Sequence, residues 1–165
     1  MTECLPLSIS SLASRRERDS ERARETARQH LKERIMATKT AKDLVAEASR
    51  DIETLSGEEA VKLVGNPNVV FVDVREGEEL QKTGKLQGAL HVPRGFLEFQ
   101  VDPATPTHKP ELGGGKKLVL YCGSGNRSVL GAKALKEMGI TSVAHVAGGF
   151  PALQQAGGPR EDDTR

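Results

Sequence analysis

The run Val69-Val70-Phe71-Val72-Asp73-Val74 constrains the fold more than any other part of this chain. It is continuous and rich in β-branched residues, as expected of a strand that is covered on both faces of a parallel sheet. Parallel strands need crossover connections, usually helices. Further strands are predicted at 52–55, 89–92, 118–121 and 142–147, with helical patterns between them. The alternation therefore predicts an α/β fold whose parallel sheet is flanked by helices on both sides.

The helical segments have recognisable ends. Ser56 and Glu59 form a predicted capping box that opens a helix running to Val64. Other helices are predicted at 42–49, at 76–81 and at 127–138, the last closed by Gly139. Residues 93–115, with prolines at 93, 103, 106 and 110, are expected to form a long surface excursion that rims a site, with one helical turn near 96–99.

Three regions differ in composition. Residues 1–37 are dense in charges of both signs, with only a thin apolar stripe, so we expect a disordered or loosely helical extension. Residues 38–153 form the predicted domain, and residues 154–165, rich in glycine and acids, a flexible tail. We expect Met36 to be the natural start; an intact native protein that retains Met1 would contradict this.

Composition excludes several classes of function. The net charge is +1 and aromatic residues make up 3% of the chain, which argues against a nucleic-acid partner. No apolar run approaches the roughly 20 residues that span a bilayer, so no membrane partner is expected. The only cysteines are Cys4, for which we expect no role, and Cys122. They do not form a disulfide framework, which favours a reducing, cytoplasmic location. Neither a metal nor a cofactor is predicted.

Cys122 stands at the end of a predicted buried strand, followed by the loop Gly-Ser-Gly and then a helix. Backbone N–H groups and the positive end of a helix dipole converge at such a junction. Gly123 and Gly125 allow the loop to turn successive N–H groups inward around the sulfur. We therefore predict that the pKa of Cys122 is lowered from the usual value of about 8.5, and that Cys122 is a nucleophile.

A second strand ends near Asp73 and Arg75. Because ligands gather at the carboxyl ends of parallel strands, a carboxylate and a guanidinium could reach the same rim as Cys122. Equally, these two side chains could pair with one another or with Glu79 and fasten a loop. His91 and His145 lie in strand-like runs and are predicted to be structural.

Two rival motifs fit the loop poorly. Residues 123–128 begin like a dinucleotide fingerprint, but the sixth position is Ser128 and no acid follows about 20 residues later. A phosphatase loop of cysteine, five residues and arginine would need an arginine at position 128. In this chain the arginine is Arg127, one position early.

Between residues 49 and 151 the chain resembles the rhodanese (sulfurtransferase) family. The resemblance is carried by Asp73-Val74-Arg75 with Glu79, by the stretch 84–93, by the loop CGSGNR with Ser128, and by Gly148-Gly149-Phe150-Pro151. Lys85 and Leu86 depart from the family pattern at what we expect to be a surface turn. The resemblance implies a three-layer α/β fold with a central five-stranded parallel sheet.

The resemblance also implies a sulfurtransferase that needs no cofactor. Cys122 would take the sulfane sulfur of an anionic donor such as thiosulfate, become a persulfide, and pass the sulfur to cyanide or a thiol. The donor would be bound by Gly123, Ser124, Gly125, Asn126, Arg127 and Ser128. Arg127 would attract the donor's sulfonate, and Asp73 and Arg75 would support the site.

The donor and the class of protein stay open at this point. Several family members that use thiosulfate carry a basic residue directly after the cysteine, where this chain has Gly123. Mercaptopyruvate or a protein persulfide is therefore an alternative donor. A persulfide carrier or redox-sensing binding module acting on a protein partner is the second hypothesis. A phosphatase or arsenate reductase is the third.

Overall fold

The computed structural model describes residues 9–35 and 39–162, and the chain divides into two units, residues 1–40 and residues 41–165. In the first unit, helix α1 spans Ile9–Ile35. Met36 and Cys4 lie outside the described residues, so the predictions about them are unchanged. No helix in the part of the chain that the structure describes is long and apolar enough to cross a membrane.

The second unit is built on a five-stranded sheet in which every strand pair is parallel. The strands are β1 (Glu53–Leu55), β2 (Val69–Asp73), β4 (Leu90–His91), β5 (Lys117–Tyr121) and β6 (Val143–Val146). Their order in the sheet is β1-β6-β5-β2-β4, so β5 lies in the middle. This confirms the predicted fold class.

Helices cover both faces of the sheet. They are α2 (Ala41–Asp51), α3 (Gly57–Val61), α4 (Gly77–Thr83), α5 (Leu97–Val101), α6 (Asn126–Glu137) and α7 (Gly149–Gln155). Side chains of α2, α5 and α6 enter one apolar core, and those of α3 and α7 enter the other. Along β5, Leu118 and Leu120 belong to the first core while Val119 and Tyr121 belong to the second. This alternation places the next residue, Cys122, on the α6 side.

The predicted capping box is present. The Ser56 N–H donates to Glu59 Oε2 at 2.8 Å, and the Glu59 N–H donates to Ser56 Oγ at 3.2 Å. The helix is shorter than predicted, because after Val61 the chain tightens into turns. In these turns Leu63 and Val64 donate to carbonyls three residues back. The left-handed Gly65 follows, at φ 83°.

A second, two-stranded antiparallel sheet corrects two predictions. Strand β3 (Lys85–Leu86) pairs with β7 (Arg160–Glu161). Leu86 is fully buried and its N–H donates to Tyr121 Oη at 3.1 Å, so residues 85–86 are not a surface turn. The expectation of a loose tail from residue 154 is wrong for this stretch, because α7 continues to Gln155 and β7 is held by backbone pairing.

Residues 93–115 are more than a surface excursion. They contain 3₁₀ turns at Arg94–Phe96 and Pro110–Leu112 on either side of α5. Leu97, Val101 and Leu112 are buried in the core that α2 and α6 also fill. Proline content predicted an irregular segment, but the apolar residues among the prolines anchor it to the sheet.

Candidate active site

The Cys122 side chain is fully buried directly after β5, at the carboxyl end of the central strand. Residues 123–125 then turn the chain into α6. Gly125 has a left-handed φ of 99°, and a Cβ there would lie 3.3 Å from both Val146 O and Gly148 N. Only glycine fits this turn without strain, and the turn directs the Gly125 N–H towards the sulfur.

The sulfur of Cys122 lies in a cradle of hydrogen-bond donors. The Gly125 N–H donates to Cys122 Sγ at 3.1 Å. Burial by itself opposes ionisation of the thiol, but hydrogen bonds from the N–H groups of Ser124, Ser128 and Gly125, together with the Ser128 hydroxyl, outweigh it. The pKa of Cys122 is therefore lowered, which favours the thiolate at neutral pH.

The start of α7 forms a second wall of the site. The Phe150 N–H donates to the Cys122 carbonyl at 2.7 Å. Gly149 has a left-handed φ of 61°, and a Cβ on it would overlap the Cys122 carbonyl oxygen. The close approach of these two backbone segments therefore requires glycine at position 149.

Arg127 forms a two-pronged ion pair with Glu79 of α4. Its Nη1 lies 2.7 Å from Glu79 Oε2, and its Nη2 lies 2.8 Å from Glu79 Oε1. The hydrogen bonds from Arg127 are the main cause that lowers the pKa of Glu79 to about 2, so Glu79 is an anion at neutral pH. The pKa of Arg127 is raised, first by Glu79 and to a smaller extent by Cys122.

Asp73 and Arg75 fasten the fold instead of reaching the sulfur. Arg75 Nη2 lies 2.7 Å from Asp73 Oδ2, and both side chains are buried. The other hydrogen bonds of Arg75 go to Thr83 Oγ1 at 2.9 Å and to Gly84 O at 2.8 Å, at the end of α4. Its guanidinium carbon also lies 4.2 Å from the centre of the Phe150 ring. Of the two alternatives that the sequence leaves open for Asp73 and Arg75, the structure contains the mutual pair.

The side chains of the two strand histidines also form hydrogen bonds within the fold. His91 Nε2 lies 2.9 Å from Arg75 O, and His145 Nε2 lies 3.0 Å from Thr54 Oγ1. Burial lowers the pKa of His145, which favours the neutral ring. Among residues 9–35 and 39–162, no group of three or more His, Cys, Asp or Glu side chains is arranged to hold a metal ion.

The model of the rhodanese-like domain matches residues 56–156, which include every element described around Cys122. The chain belongs to the rhodanese family. Membership supports a sulfur-transfer enzyme in general.

Relatives of this rhodanese domain carry several names. A Rhodopseudomonas palustris structure of unknown function, described as a possible tyrosine phosphatase, is 43% identical with a TM-score of 0.73, covering 76% of this chain and 97% of that one. The polysulfide-sulfur transferase homodimer of Wolinella succinogenes is 29% identical with a TM-score of 0.58, covering 73% and 86%. The tRNA uridine(34) hydroxylase of an Enterobacter species is 29% identical over 126 residues. That match covers 74% of this chain and spans about a third, 34%, of the hydroxylase.

Sequence reasoning about this rhodanese located the loop and missed two of its supports. The structure brings Ser124, Gly125 and Ser128 to the sulfur. Gly123 lies instead against the Glu79–Arg127 pair, and the Asn126 side chain is exposed at the start of α6. The sequence indicates Glu79 as a possible partner of Asp73 and Arg75 and as part of the family resemblance, and Gly149 only as part of a motif, but neither as a support of the loop. In the sequence, the two adjacent glycines before Phe150 are the feature that indicates a close approach of two backbone segments at this point.

Proposed function

We propose that the protein is a sulfurtransferase that moves sulfane sulfur through a persulfide on Cys122. The observation that carries this proposal is the buried Cys122 sulfur with N–H donors directed at it. In the first step the Cys122 thiolate attacks the outer sulfur of thiosulfate. The new S–S bond forms as the old one breaks, and sulfite leaves with the bonding electron pair, so that Cys122–S⁻ and S₂O₃²⁻ give Cys122–S–S⁻ and SO₃²⁻.

The loop would stabilise the charge that this step moves. Backbone N–H groups from Gly123 to Ser128 would hold the outer sulfur of the persulfide, which is stabilisation of an anion by preorganised donors. In the second step a thiophilic acceptor, cyanide or a thiol, attacks that outer sulfur. Cyanide leaves as thiocyanate, and the Cys122 thiolate returns. A covalent cycle of this kind predicts ping-pong kinetics.

Three observations support the proposed sulfur transfer. The rhodanese family match covers the loop, and the similar Wolinella succinogenes protein is named a polysulfide-sulfur transferase. The hydrogen bonds that lower the pKa of Cys122 increase its thiolate fraction at a given pH, which supports its role as the nucleophile. We further propose small-molecule partners without nucleic acid, given the net charge of +1, and a cytoplasmic location, given only two cysteines in the chain.

Mass spectrometry of the intact protein after thiosulfate treatment tests the proposal. We expect one additional sulfur atom, removed again by cyanide with release of thiocyanate, and none in Cys122→Ser. Cys4→Ser is the matched control and should gain the sulfur like the parent. Sulfur transfer that survives in Cys122→Ser, or a parent protein that gains no sulfur from any sulfane donor, would refute it.

A cysteine-dependent phosphatase is the second candidate, because the similar Rhodopseudomonas palustris protein is described as a possible tyrosine phosphatase. The site of the present protein does not favour a phosphatase. Position 128 holds a serine, and Arg127 binds Glu79 at the protein surface. Hydrolysis of an aryl phosphate that depends on Cys122, in a protein that transfers no sulfur, would favour the phosphatase.

A persulfide carrier that acts on a protein partner is the third. Phe96, just before α5, and Phe99, within α5, are 56% and 58% exposed, which is unusual for two phenylalanines so close together. Leu97, between them, lies near Gly131 of α6. Phe96→Ser and Phe99→Ser together would slow transfer to a protein thiol and leave transfer to cyanide unchanged if the carrier hypothesis holds.

A further inference from the structure

The ion pair between Glu79 and Arg127 stands beside the cysteine loop, over Gly123. A Cβ on Gly123 would lie 3.1 Å from Arg127 Nη2 and 3.3 Å from Glu79 Oε1. Both side chains of the pair are more than a third exposed, at 38% for Arg127 and 37% for Glu79. The pair therefore faces solvent beside the cysteine loop.

Glu79 cancels the charge that the loop offers to an anion. Both terminal nitrogens of Arg127 donate to the two oxygens of one carboxylate. The pKa of Glu79 is lowered to about 2, so the carboxylate stays charged across the physiological range. A dianionic donor that approaches the pair meets no net positive charge from it, and Arg127 can offer a sulfonate only the N–H groups that Glu79 does not occupy.

Glu79 is also held in place from its own helix. Its Oε2 accepts the Glu76 N–H at 3.1 Å at the start of α4, in addition to the bond from Arg127. Moving the carboxylate away would leave that N–H unpaired as well as Arg127. Gly123 is what leaves room for this arrangement, since a side chain there would press on both members of the pair.

We propose that Glu79 is a specificity-determining residue that holds Arg127 neutralised and so directs the site towards hydropersulfides of uncharged thiols and away from thiosulfate. The inference rests on the proposed function and deepens it. With a hydropersulfide, the Cys122 thiolate attacks the outer sulfur, the R–S–S bond breaks, and the thiolate leaves with the electron pair. Cys122–S⁻ and R–S–SH thus give Cys122–S–SH and R–S⁻, with no sulfonate for Arg127 to bind.

Glu79→Gln tests the proposal, because a glutamine oxygen can still accept the Glu76 N–H while the negative charge is gone. The rate at which Cys122 gains sulfur is measured by intact mass with thiosulfate and, separately, with the hydropersulfide of 2-mercaptoethanol. We expect Glu79→Gln to speed loading from thiosulfate about tenfold, the effect of one charge several ångströms from a dianion in a solvent-exposed site. Loading from the hydropersulfide should change less than about twofold by the same principle.

Glu78→Gln is the matched control, since Glu78 is the exposed neighbour on the same helix turn and the same charge is removed. It should change neither rate. If Glu79→Gln folds poorly, a measurement on the wild type still tests the proposal. Added salt should hardly slow the loading of the wild type from thiosulfate, because a pair without net charge exerts no attraction on the donor that salt could screen.

The outcomes separate the two proposals. An unchanged or slower thiosulfate rate in Glu79→Gln, an equal increase with both donors, or a wild-type thiosulfate rate that falls steeply with salt would overturn the role of Glu79. Each of these leaves sulfur transfer itself intact. A wild type that loads from neither donor would refute the proposed function instead.

Discussion

Gly149→Ala is expected to damage both the fold and the candidate site, because Gly149 lies against the backbone of Cys122. Its φ of 61° is left-handed, and alanine in that conformation costs about 1 kcal/mol. The added Cβ would also overlap the Cys122 carbonyl oxygen and lie 2.8 Å from the carbonyl carbon. Relieving such an overlap costs about 1–3 kcal/mol more, because neither backbone can move without its strand or helix.

Gly157→Ala is the matched control. Gly157 has a left-handed φ of 79°, but a Cβ there meets nothing within 4 Å. It should carry the conformational cost of about 1 kcal/mol without the overlap. Urea unfolding of both variants then isolates the cost of the contact with Cys122, expected at about 1–3 kcal/mol.

A site readout accompanies the stability measurement. The Phe150 N–H holds the Cys122 carbonyl at 2.7 Å, so displacing α7 should move the cysteine loop and change the rate at which Cys122 reacts with iodoacetamide. Gly157→Ala should react like the parent. Equal unfolding free energies for the two variants, within about 0.5 kcal/mol, would refute the argument that close backbone approach fixes glycine at position 149.

Three further predictions concern charge. Arg75→Met should lower the unfolding free energy by about 3–5 kcal/mol in urea denaturation, because the buried carboxylate of Asp73 loses its partner; a loss below about 1 kcal/mol would contradict this. The rate at which Cys122 is alkylated, followed on the peptide that contains it, should rise with pH and have its midpoint below the ordinary thiol pKa of about 8.5. Ser128→Ala should raise the pH of that midpoint. Because the folded pKa of Glu79 is lowered to about 2, its stabilising contribution is complete above its ordinary value of 4.5 and is lost as the pH falls towards 2. Discounted for exposure, the difference in unfolding free energy between the parent and Glu79→Gln should be about 1 kcal/mol at pH 6 and shrink by pH 3; a constant difference would contradict the assignment.

The parts of the fold that sequence could predict are those with a local cause. Val69–Asp73 and Leu118–Tyr121 form buried parallel strands because their side chains are apolar on both faces. The capping box at Ser56 lies within four residues, and the loop after Cys122 owes its shape to its own glycines. Such features need no knowledge of what lies elsewhere in the chain.

The parts that sequence could not predict depend on distant partners. Leu86 and Arg160 pair across two-residue strands that are too short to show a period, so their burial and pairing have no local pattern. The same holds for Asp73 and Arg75, whose spacing allowed either a place at the rim or a mutual bond. The bond is decided by Thr83, Gly84 and the Phe150 ring, which the fold brings to them.

The charge of the candidate site also depends on a distant partner, the one that Arg127 binds. The family resemblance implies that the Arg127 guanidinium attracts a donor's sulfonate. Its carboxylate partner is 48 residues earlier in the chain, on a helix whose first turn also needs that carboxylate as a cap. The charge presented to a donor is therefore a property of the assembled pair. A rhodanese loop with the same residues, but without an acidic residue at that position of the neighbouring helix, would present a cation to the donor. We expect such a protein to load more readily from thiosulfate.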